Sequence, residues 1–65
     1  MRTPVLAPLV KRYVDEVGIM LVANGQLGIE VMIRDVRQAY GRVDFLVEPI
    51  HGHGTTWVSK DRVHV

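Results

Sequence analysis

Two runs rich in β-branched and aromatic residues, Arg42-Val-Asp-Phe-Leu-Val-Glu-Pro-Ile50 and Thr55-Thr-Trp-Val-Ser59, stand on either side of His51-Gly-His-Gly54. Runs of this kind form strands, and a glycine-punctuated break between them forms a hairpin turn. A two-residue turn at Gly52-His53 suits type II′, which takes Gly first, and a four-residue loop over 51–54 keeps the same register. That register sets Val47 opposite Val58, Phe45 opposite Lys60 and Glu48 opposite Trp57. Side chains alternate across a strand. Val43, Phe45, Val47 and Val58 therefore share one face, and Leu46, Ile50 and Trp57 share the other. Both faces are partly apolar, so the sheet needs covering twice, once by its own curling and once by something else.

A chain of 65 residues makes one domain over 1–65, and a domain of this size buries only about 60% of its unfolded surface. It has no cysteine, so neither disulfides nor a Cys-based zinc site can add stability. That fits a cytoplasmic protein, and self-association is an expected remedy for so small a core. A net charge of +1 leaves no large excess for phosphates, although a local basic patch is still open. The apolar content of 48% is that of a globular chain. Val5-Leu-Ala-Pro-Leu-Val10 after Met1-Arg2 has a signal-peptide flavour, but two prolines break it and Lys11-Arg12 ends it without a cleavage pattern. Nothing approaches the roughly 20 apolar residues of a membrane span.

Residues 1–8 carry Pro4 and Pro8 and read as an extended lead-in, with Pro8 suited to the first position of a helix. Apolar residues at 9, 10, 13, 14, 17, 20 and 21 form the stripe of an amphipathic helix, with Lys11–Asp15 and Arg12–Glu16 pairs opposite it. That predicts a helix over 9–24 ending at Asn24-Gly25. A rival parse stops the helix at Gly18 and makes Ile19–Ala23 a strand turning at Asn24-Gly25, since β-branched residues weaken a helix and Asn-Gly marks hairpins. From Gly28 a strand alternates clearly, with Ile29, Val31 and Ile33 on one side and Glu30, Met32 and Arg34 on the other. The alternation slips at Asp35-Val36, which predicts a bulge or bend. Ala39-Tyr40-Gly41 is the next turn, Ser59–Arg62 a tight connection and Val63-His-Val65 a short last strand.

A long bent strand, a hairpin, a tight connection and a short last strand over residues 28–65 resemble the layout of an SH3-like small barrel. The residues that carry the resemblance are Asp35-Val-Arg-Gln-Ala-Tyr-Gly-Arg42, Leu46-Val-Glu-Pro-Ile50, Gly52-His-Gly54 and Trp57-Val58. The chain is similar to barrels of the Tudor and KOW sort and to short uncharacterised proteins of bacterial mobile elements. Tudor barrels hold methylated side chains in an aromatic cage and KOW barrels bind RNA or protein, so the resemblance implies a binding module. Tyr13, Tyr40, Phe45 and Trp57 are the whole aromatic supply, and Phe45 belongs to the core face. The type II dihydrofolate reductases resemble it in fold, but their Val-Gln-Ile-Tyr run has no counterpart here.

The expected fold is therefore α+β or mostly β: an N-terminal amphipathic helix packed on a four- or five-stranded antiparallel SH3-like barrel. Leu46, Ile50 and Trp57 make a face that either the helix or a partner covers. Arg34, Arg37, Tyr40 and Arg42 offer charge and a stacking ring at one turn, the chemistry that holds single-stranded nucleic acid. Asp35, Asp44, Glu48 and Asp61 are read as surface carboxylates balancing those arginines, not as a catalytic pair. His51 and His53 are too few ligands for zinc without a third in place. The expectation is a non-enzymatic adaptor or regulatory module working through protein contacts or self-association, with nucleic-acid binding as the alternative. No metal, small-molecule cofactor or membrane is expected to be involved.

Overall fold

The computed structural model describes residues 6–65; most of the lead-in expected over 1–8 falls outside them. From Leu6 the chain runs α1 (Leu6–Tyr13), β1 (Val17–Val22), β2 (Leu27–Ala39), β3 (Arg42–Pro49), β4 (Thr56–Ser59), a 3-10 turn (Lys60–Arg62) and β5 (Val63–His64). The strands form one antiparallel sheet in the order β4-β3-β2-β1-β5. The protein is mostly β with one short helix.

The helix expected over 9–24 is corrected at both ends. It opens at Leu6, with Pro8 inside the first turn, where helix amides have no intrahelical acceptor and the missing N–H costs little. It stops at Tyr13 because Asp15 turns left-handed (φ 71°), a conformation that Asp tolerates better than most residues. The Asp15 amide then donates to the Ile33 carbonyl at 2.7 Å, and Ile33 donates back to Glu16 at 2.9 Å. That exchange carries the chain onto β2 and starts β1. Val17, Ile19 and Val22 follow their β-branched preference, and Ala23 and Asn24 (φ 53° and 57°) close the β1–β2 turn. The rival reading of a strand turning near Asn24-Gly25 describes this segment. The Lys11–Asp15 and Arg12–Glu16 pairs do not form: Asp15 lies 3.7 Å from Arg34 instead.

The slip at Asp35-Val36 is a real irregularity. The β2–β3 register shifts between Ile33 and Asp35, leaving Arg34 as the extra residue. Val31, Ile33 and Val36 consequently all face the core. Beyond the bulge the hairpin runs out to Ala39 opposite Arg42, closed by Tyr40 (φ 54°) and Gly41 (φ 73°). Two positive φ angles make a type I′ turn, the kind that matches strand twist.

The β3–β4 register differs from expectation by two residues. Phe45 faces Val58, Leu46 faces Trp57 and Val47 faces Thr56, so the loop spans residues 50–55 instead of 52–53 or 51–54. Proline accounts for the longer loop. The Ile50 amide donates to Glu30 on β2 at 3.0 Å, and amides alternate in direction along a strand. Position 49 would thus offer its N–H to β4, and Pro49 has none. A shift of two residues preserves the faces: Phe45, Val47 and Val58 are buried together, while Leu46 and Trp57 point outward and stay half-buried.

β4 and β5 sit at opposite edges of the sheet, yet only the 3-10 turn joins them. Five flat strands put about 19 Å between outer edges, whereas the four steps from Ser59 to Val63 reach at most about 14 Å. The sheet is therefore rolled, although its ladder stays open between β4 and β5. Val31, Ile33, Val36, Phe45, Val47, Val58 and Val63 fill the concave side. Leu9, Val10, Tyr13 and Val14 of the helical segment cap it, with the Tyr13 and Phe45 rings 4.9 Å apart. The helix thus covers the inner face, not the Leu46, Ile50, Trp57 side.

Candidate functional site

With α1 packed on the concave side, the other, convex face of the sheet is not covered by the helix. The register orders it in rows. Ile19, Glu30 and Ile50 make one row, and Val17, Met32 and Glu48 the next. Asp35, Leu46 and Trp57 follow, then Arg37, Asp44 and Ser59. Val17, Ile19 and Ile50 are 49%, 37% and 40% exposed, which is high for apolar residues meeting in adjacent rows. Met32, Glu48, Pro49, Ile50 and Gly52 line a shallow groove of about 300 Å³ at this end.

The expected trio is split across this face. Leu46 and Trp57 are cross-strand neighbours, while Ile50 lies two rows away in the loop, with Glu48 between. Ile50 joins Val17, Ile19 and Met32 instead. Val17 and Ile19 went unnoticed as part of this face because Val17, Met20 and Leu21 fitted a helical stripe. The strand alternation of Val17, Ile19 and Leu21 is the signal that finds them.

The arginines are held by a carboxylate. Arg37 sits across from Asp44 and donates to it at 3.1 Å, and Arg42 lies 3.7 Å from the other oxygen of the same group. The Arg37 guanidinium also lies 4.3 Å from the centre of the Trp57 ring. Arg34, at the bulge, is shared between Asp15 (3.7 Å) and Glu48 (3.8 Å). Asp44 is almost buried, so Asp44→Asn should cost about 1–2 kcal/mol, between an exposed pair and a buried charge. Urea denaturation checks that figure, and altered Trp57 fluorescence should accompany the loosening of Arg37.

Tyr40 stands apart. It is wholly exposed at the tip of the β2–β3 hairpin and takes a left-handed φ that a β-carbon disfavours. Asn before Gly is the favoured type I′ pair, so Tyr40→Asn should raise stability by about 1 kcal/mol. A thermal melt in which the variant falls below the wild type would contradict this.

The carboxylates have structural duties: Asp44 and Glu48 hold arginines, and Asp35 accepts the Val36 amide at 2.8 Å. The Ser59 hydroxyl caps the 3-10 turn by accepting the Asp61 amide. The histidines diverge. His51 lies 4.0 Å from Glu30, His53 lines a groove shared with Met20, Val47 and Thr56, and His64 lines a cleft shared with Tyr13. Among the described residues no group of three His, Cys, Asp or Glu could hold a metal ion, and no helix is long and apolar enough to cross a membrane. In comparisons with protein-family models, curated proteins and solved structures, nothing matches this chain.

Proposed function

We propose that the protein is a small SH3-like binding module, non-enzymatic, that works as an adaptor or regulatory subunit through contacts on the convex face of its sheet. The observation that carries this reading is the one-sided use of the helix. Both faces of the sheet bear apolar residues, and α1 packs on the concave one. The other presents Val17, Ile19 and Ile50 beside a groove, rimmed by Glu30, Glu48 and Arg34. Apolar centres with a charged rim mark protein interfaces. The SH3-like assignment is supported by the bend at Arg34, the rolled sheet and the 3-10 turn before the last strand.

A double variant Ile19→Lys/Ile50→Lys tests the surface, because both side chains point outward and their loss spares the core. It should melt like the wild type yet lose any solution mass above that of one chain and any captured protein partner. Retention of both would exclude this face.

Tyr40 favours a second reading, nucleic-acid binding through Arg34, Arg37, Tyr40 and Arg42. An exposed ring held in an unfavourable conformation is suited to stacking on a base. The pairing of all three arginines with carboxylates weighs against it. Titration with single- and double-stranded oligonucleotides at low salt separates the readings. If the second holds, affinity falls steeply with salt, Tyr40→Ala costs about 1–3 kcal/mol, and Asp44→Asn strengthens binding by freeing two guanidiniums.

A further inference from the structure

Ion pairing is unevenly distributed over the surface. Arg34, Arg37 and Arg42 all have carboxylate partners, and the Arg62 guanidinium donates to the Leu21 carbonyl at 3.0 and 3.3 Å. Among the described residues, Lys11, Arg12 and Lys60 have no carboxylate within 4.0 Å. Two of these three cations converge. Arg12 lies in the last turn of the helix, Lys60 opens the 3-10 turn, and the same Tyr13 ring receives both, at 5.2 and 5.9 Å from its centre. They stand at a cleft of about 470 Å³ bordered by Tyr13, Phe45, Val63, His64 and Glu16, a size within the usual ligand-pocket range of about 300–1,000 Å³.

We propose that this cleft binds a nucleotide-sized phosphate ester, with Arg12 and Lys60 taking the phosphate. The site is separate from the convex face and from the Tyr40 hairpin. Both cations are long, flexible and rooted on different elements, and each rests on an aromatic ring in place of an anion. A charge-assisted bond to phosphate is stronger than an exposed cation–π contact. An arriving phosphate therefore draws both groups off Tyr13 and uncovers the ring for the body of the ligand. Glu16 borders the same space and opposes the phosphate charge.

The test is a titration of the full chain followed through backbone amide signals. The probes are a nucleoside 5′-monophosphate, the matching nucleoside, inorganic phosphate and a short single-stranded oligonucleotide. The mononucleotide should shift Tyr13, Lys60 and Val63 saturably, and the nucleoside should not. Arg12→Gln and Lys60→Gln should each weaken binding roughly tenfold, as expected when a hydrogen bond to a charged group is lost. Glu16→Gln should tighten it, and Lys11→Gln, outside the cleft, should change it little. Preference for the oligonucleotide assigns the phosphate to a strand and preference for the mononucleotide to a free metabolite; both support the site. Binding of nucleoside or inorganic phosphate as tight as the mononucleotide overturns the proposal. So does saturation that survives both Arg12→Gln and Lys60→Gln, or no shift with any phosphorylated probe.

Discussion

Phe45→Ala is expected to unfold the protein or leave it barely folded. Phe45 is fully buried at the centre of the concave side, flanked by Val36 on β2 and Val58 on β4, with the Tyr13 ring of α1 tilted against it at 4.9 Å. Truncating a buried aromatic costs about 3–5 kcal/mol. At about 0.05–0.15 kcal/mol per residue, a chain of 65 residues has only about 3–10 kcal/mol in all. The loss is therefore a large share of what the fold has, and the helix should come away with it because Tyr13 loses its floor. Trp57→Ala is the matching control. Trp57 is larger, but it is half-buried on the convex side, with Leu46 beside it and Arg37 above. Its removal should cost about 1–2 kcal/mol, as for most single substitutions. Urea denaturation followed by far-ultraviolet circular dichroism ranks the two. A larger loss for Trp57→Ala would put the core on the wrong side of the sheet.

That ranking depends on which faces were readable from the chain. Alternation in 42–50 and 55–59 sorted Phe45, Val47 and Val58 from Leu46 and Trp57 correctly, because a period of two survives a register shift of two. The shift itself was hidden in Pro49. Its consequence depends on which neighbour its missing amide would have met, and that is a property of the assembled sheet. The bulge near Asp35 was visible as a break in period.

The end of the helix was ambiguous for a different reason. Residues 9, 10, 13, 14, 17, 20 and 21 satisfy a helical stripe, and no glycine or proline interrupts them before Gly18. What stops α1 is the left-handed Asp15 and its exchange with Ile33, a contact across 18 positions in the chain. The side of the sheet that α1 covers follows from the same contact. The candidate surfaces inherit this division. Leu46 and Trp57 were legible as outward neighbours, whereas the pairing of Arg37 with Asp44 and the meeting of Arg12 with Lys60 needed strands and turns brought together from distant positions.

Gly18→Ala is expected to detach β5 from the sheet. Gly18 is buried in β1 opposite Val31, and β5 crosses close beside it. A β-carbon there would lie 2.8 Å from the His64 carbonyl oxygen and 2.9 Å from Val63 Cγ1. The first of these is backbone, so no change of rotamer relieves it. Either the contact stays overpacked, at about 1–3 kcal/mol, or β5 moves off. In the second case Val63 loses its burial, worth about 1.5–3 kcal/mol if complete. The two costs are comparable, but the strand is only two residues long and pairs with Ile19 and Met20 alone, so β5 is the part expected to give way. Amide exchange should then accelerate at residues 63–64 and their partners in β1, while the β2–β3 amides keep their protection. Gly28→Ala supplies the comparison. Its β-carbon would meet Ile19 Cγ2 at 2.6 Å, but that is a side-chain methyl that a turn of χ1 can move, so the change should cost about 1 kcal/mol or less. Equal costs for the two substitutions, or undisturbed exchange at residues 63–64 in Gly18→Ala, would refute the close packing of β5. Val63 and His64 form one wall of the cleft beside Tyr13. Gly18→Ala should therefore also weaken phosphate-ester binding there, although residue 18 does not line the cleft.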